Sequence, residues 1–109
     1  MSEGGVNLPM APSCALDESG LRSQLERYRQ IGRDARLLER TPRRLVAHIG
    51  ERIETALLTD AVSVERSCCP FFLIDWESGR RRLTISVSQA THEPALNALA
   101  FALDLQRSD

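Results

Sequence analysis

Glu65-Arg66-Ser67-Cys68-Cys69-Pro70-Phe71-Phe72 is the stretch where a helical pattern gives way to a strand pattern. Upstream, Ile53, Leu57, Ala61, Val64 and Cys68 recur at spacings of four, four, three and four, the stripe of a core-facing helix. Pro70 cannot extend that helix, and it biases Cys69 toward extended backbone. The helix therefore spans about 51–68 and places two adjacent sulfurs at its C-terminal end. Downstream, 71–77 and 81–88 read as a hairpin around Ser78-Gly79. Leu83, Ile85 and Val87 alternate with Arg82, Thr84, Ser86 and Ser88, so one face of the second strand is wet. The first strand carries Phe71, Phe72, Leu73, Ile74 and Trp76 on both faces, which predicts the more central position.

The rest of the chain extends this pattern. Asp17 is a suitable N-cap for a helix over 18–31, with Leu21, Leu25, Tyr28 and Gly32 on one stripe. Segments 35–40 and 45–49 read as two strands around Thr41-Pro42-Arg43, with His48 on the face opposite Leu45, Ala47 and Ile49. Thr91 can cap a last helix, Pro94 falls in its first turn, and Leu96, Leu99 and Leu103 form its inner stripe. The order α-β-β-α-β-β-α implies an α+β fold: one domain, an antiparallel sheet of about four strands, and three helices. Residues 1–13 read as a flexible N-terminal tail and 14–109 as the domain. The expected core includes Leu57, Val64, Phe72, Ile74, Leu83, Ile85, Leu96 and Leu99.

Composition narrows the function. The 109 residues are 42% hydrophobic and 27% charged, an ordinary globular balance. A net charge of −1 gives no general pull toward nucleic acid or an anionic membrane. No apolar run approaches a membrane span, and no basic-then-apolar leader opens the chain, so a cytoplasmic protein is expected. All fourteen basic residues are Arg, spread along the chain as GC-rich bacterial coding would spread them. A homo-oligomer is compatible with this composition.

No Gly-rich phosphate loop, Ser-His-Asp order, His-Glu-x-x-His or Cys-x-x-Cys motif is present. The remaining constellation is Cys14, Cys68 and Cys69, with Asp17, Glu65 and a His as possible neighbours. In a reducing compartment such thiols are buried apolar groups, metal ligands or redox groups. A helix C-terminus disfavours thiolate, and a bound cation offsets that, so the position argues for metal over redox catalysis. Zinc or another thiophilic ion is the cofactor implied, through Cys14, Cys68 and Cys69. The partner is then a metal ion or another small ligand. The alternatives are an interaction or structural domain with inert cysteines, and thiol redox or organomercurial-lyase-like chemistry.

An early Cys14 followed by Glu65-Arg66-Ser67-Cys68-Cys69-Pro70-Phe71 resembles a family of small bacterial proteins with three cysteines and an ER-x-CCPF-like motif. Its members resemble proteins encoded beside metal-responsive regulators, which implies heavy-metal handling. Ser86-Val87-Ser88-Gln89 stands where that family carries Thr-Gly-Pro after the last strand. Cys14-Ala15-Leu16-Asp17 is also similar to the Cys-x-x-Asp of organomercurial lyases. That likeness implies mercury held by Cys14 and Cys68, with Asp17 delivering a proton.

Overall fold

A computed structural model describes residues 18–105, so the proposed tail, Cys14 and Asp17 lie outside the described residues. The elements are α1 (Glu18–Gly32), β1 (Ala35–Thr41), β2 (Arg44–Ile49), α2 (Thr55–Cys68), β3 (Leu73–Glu77), β4 (Arg82–Ser86) and α3 (Glu93–Ala102). A single 3-10 turn, Ala90–His92, leads into α3. The four strands form one antiparallel sheet in the order β1-β2-β4-β3. The α+β architecture and the element order are those the sequence predicts.

The strand register shows which face carries the helices. Leu45 lies opposite Ile85, which lies opposite Ile74; Ala47, Leu83 and Trp76 form the next row. These rows join the core with Tyr28 and Ile31 of α1, Leu58 and Ala61 of α2, and Leu96 and Leu99 of α3. All three helices therefore cover one face. The other face carries Arg44, His48, Thr84, Arg82, Asp75 and Glu77 beside Val46. Among the described residues no helix is long and apolar enough to cross a membrane.

Three expectations need correction. β3 is an edge strand rather than a central one. Its apparent two-faced hydrophobicity came from counting residues that precede it. Phe71 and Phe72 belong to a turn, and Leu73, on the open face, is 58% exposed. Second, α2 starts at Thr55, four residues late. Residues 50–54 are held as a turn by Arg81, whose guanidinium donates to the carbonyls of Ile49 (2.9 Å), Gly50 (2.8 Å) and Ile53 (2.5 Å). Third, the buried face of α2 is rotated. It consists of Leu58, Ala61, Val62, Glu65 and Cys68, while Leu57 and Val64 are half-buried at its margin. The difference has a direct readout. Leu58→Ala should cost about 2–5 kcal/mol, whereas Leu57→Ala should cost clearly less, because its side chain is already partly solvated. Chemical denaturation of the two variants checks the order.

Candidate functional site

The end of α2 is built by local rules. Its last turn closes with the Cys69 N–H donating to the Glu65 carbonyl at 2.8 Å. Cys69 then leaves helical geometry at φ −132°, ψ 73°, in line with the bias against helical backbone before proline. Pro70 occupies the second position of a tight turn in which the Phe72 N–H donates to the Cys69 carbonyl at 3.1 Å. Beyond the turn, Phe71 stacks on His92, with centroids 4.2 Å apart and planes 15° apart. Phe72 enters the core. Arg66, one residue past Glu65, points outward and donates to the Ile74 carbonyl at 2.6 Å, fixing α2 to β3.

This geometry buries both cysteines: Cys68 is 6% exposed and Cys69 is fully buried, although the helical stripe alone left Cys69 free to face solvent. Their sulfurs are 3.7 Å apart. Glu65, one helical turn before Cys68 and Cys69, is 1% exposed. One carboxylate oxygen of Glu65 and the two sulfurs all lie within 4.8 Å of one another. Two of the three predicted ligands, Cys68 and Cys69, are thus together, and Cys14 lies outside the described residues. His48 lies on the open face of the sheet, and His92 is engaged with Phe71, so neither histidine belongs to this cluster.

The carboxyl group is organised by α1. The Tyr28 hydroxyl donates to Glu65 Oε1 at 2.5 Å, and Gln24 Nε2 lies 3.3 Å from the same oxygen. Gln24 Nε2 also donates to the Ala61 carbonyl at 2.8 Å and approaches the Tyr28 hydroxyl at 3.1 Å. Arg27 donates to Gln24 Oε1 at 2.8 Å, which fixes which end of the amide faces Glu65. Burial, together with the adjacent Glu65, holds the Tyr28 phenol well above its ordinary value of 10.0; the Gln24 hydrogen bond opposes this. The hydroxyl therefore keeps its proton and acts as a donor. In contrast, Glu65 Oε2 is buried with no hydrogen-bond partner among the described residues.

Sequence reading placed Tyr28 on a core stripe and passed over Gln24. Their spacing of four on one helical face was visible, but their common partner is on another helix, 37 to 41 residues away. Chemically, the site offers two sulfur donors and one oxygen donor converging in a nearly dry interior. That is the donor chemistry of a borderline or soft metal ion. No protein family matches the chain, and neither curated proteins nor solved structures include a significant match to it.

Proposed function

We propose that this protein binds a thiophilic metal ion at the end of α2, with Cys68 and Cys69 as thiolate donors and Glu65 as an oxygen donor. The observation that carries this reading is the grouping of one Glu65 carboxylate oxygen and the two sulfurs within 4.8 Å of one another, on a carboxylate whose Oε2 is buried with no hydrogen-bond partner among the described residues. Buried polar atoms are normally satisfied, so an unpartnered oxygen on this carboxylate suits a role as a ligand atom. The separation of the sulfurs agrees: two thiolates ~2.3 Å from a tetrahedral ion lie ~3.8 Å apart, and the observed separation is 3.7 Å. Binding would displace thiol protons and place a cation where the helix end carries partial negative charge. Cys14 is the candidate for a further position, and zinc is the leading ion. The family resemblance of the ER-x-CCPF-like stretch points the same way.

A second reading has one observation in its favour. Both cysteines are members of the hydrophobic core, where a thiol is a small apolar group. Titration of the reduced protein with Zn(II), and with Co(II) as a coloured substitute, separates the two readings. Metal binding predicts one ion per chain, thiolate-to-cobalt charge-transfer bands, and their loss in Cys68→Ser and Cys69→Ser. At a hundredfold excess over Kd the ion should add about 2.7 kcal/mol, which raises Tm by roughly 10 °C or more. No bands, no change in Tm, and thiols that stay inert to reagent until unfolding would establish the packing reading instead.

A further inference from the structure

We infer that Gln24 and Tyr28 are positioning residues that make Glu65 a one-oxygen ligand and so select a divalent ion of the zinc class over monovalent Cu(I). This rests on the metal-binding reading and goes beyond it, since two thiolates alone would suit either ion. The carboxyl group is divided by its surroundings. Oε1 faces both α1 donors, the Tyr28 hydroxyl at 2.5 Å and the Gln24 amide at 3.3 Å. Oε2 has no hydrogen-bond partner among the described residues, and on this reading it is the oxygen that binds the cation. A carboxylate anchored through one oxygen presents the other as a single-atom ligand, rather than rotating to offer both.

The anchoring is itself anchored. Arg27 donates to Gln24 Oε1 at 2.8 Å, and Gln24 Nε2 donates to the Ala61 carbonyl at 2.8 Å, so the amide is held at both ends. Gln24 is fully buried and Tyr28 is 4% exposed, so water does not compete for these contacts. This chain runs from the surface of α1 to the donor atoms on α2. Such outer partners fix ligand orientation, and their loss costs metal affinity about 10–100-fold.

Three features favour a dication. A carboxylate oxygen is a harder donor than a thiolate, so it suits zinc-class ions better than Cu(I). Two thiolates and one carboxylate carry three negative charges; a dication leaves one uncompensated in a buried site and a monocation leaves two. The sulfurs, 3.7 Å apart, are too close for linear two-coordination, which separates them by about twice the bond length, ~4.6 Å.

The test is competitive titration of the full-length reduced protein with chromophoric chelators for Zn(II) and for Cu(I), under anaerobic conditions. Wild type, Glu65→Gln and Tyr28→Phe are compared, with circular dichroism to show that each is folded. Glu65→Gln keeps an acceptor for Tyr28 and Gln24 but removes the anionic oxygen. Zn(II) affinity should fall at least tenfold in Glu65→Gln and about 10–100-fold in Tyr28→Phe. Cu(I) affinity should change by less than about threefold in both, because the thiolates are untouched. Equal loss for both ions, or no loss for either, in Glu65→Gln would overturn the selectivity while leaving metal binding intact. Unchanged Zn(II) affinity in a folded Tyr28→Phe protein would overturn the positioning role. A wild-type protein that takes up neither ion would overturn the metal-binding reading itself.

Discussion

Gly32→Ala should destabilise the domain by about 3 kcal/mol, the upper end of the usual cost of overpacking, because the new methyl group would strike backbone. A Cβ on Gly32 would lie 2.3 Å from the Leu103 carbonyl oxygen and 2.9 Å from its carbon. Neither atom belongs to a flexible side chain that could turn away. Leu103 is itself fixed, with its N–H donating to the Leu99 carbonyl at 3.0 Å and its side chain fully buried. Relief therefore requires the end of α1 to move away from the end of α3, opening the contact between two elements that carry the buried Ile31 and Leu99. Gly32, the last residue of α1, is needed for space here. Gly79→Ala is the control. A Cβ there meets nothing within 4 Å, so its effect should stay within about 0.5 kcal/mol. Urea denaturation of the two variants reads both quantities. Equal stability would mean that α1 and α3 do not approach at this point.

Much of the architecture was legible because it depends on local periodicity. Alternation in Leu45–Ala47–Ile49 and Leu83–Ile85 named the faces of β2 and β4 correctly, and Leu96, Leu99 and Leu103 named the inner face of α3. The errors share a cause. In α2, the apolar pairs Leu57/Leu58 and Val62/Val64 allow two stripes. The stripe that is buried includes Glu65, which a hydrophobic criterion rejects. The competing stripe looked better for that reason alone. The edge position of β3 likewise depends on pairing partners distant in sequence, which its apolar composition does not encode. At the site, the cysteines stood out through chemistry and Pro70. Glu65 was legible as a possible neighbour, but its support from α1 became evident only once α1 and α2 were packed together, because Gln24 and Tyr28 contribute nothing recognisable until Glu65 faces them.

Glu65→Ala and Glu65→Gln should differ sharply in stability, and that difference separates the roles of the two carboxylate oxygens. Alanine removes the acceptor on which Tyr28 and Gln24 converge. Two buried donors then lose a partner, at about 1–3 kcal/mol each, and a small cavity opens beside Ala61 and Cys68. Gln24 retains the Ala61 carbonyl as a second acceptor, so the total should be about 3–5 kcal/mol. Glutamine keeps an oxygen where Oε1 sits and exchanges only the atom that has no partner. Replacing an unsatisfied buried oxygen removes nothing the metal-free fold uses, so Glu65→Gln should stay within about 1 kcal/mol of wild type. Thermal and urea unfolding in the presence of a chelator measure both. If glutamine costs as much as alanine, the full carboxylate is structural and the orphaned oxygen has a role in folding. If glutamine is tolerated while Zn(II) no longer raises Tm, Oε1 holds α1 to α2 and Oε2 is reserved for the ion. A residue that a packing criterion would exclude from the core is then buried because half of it serves the fold and half serves the ligand.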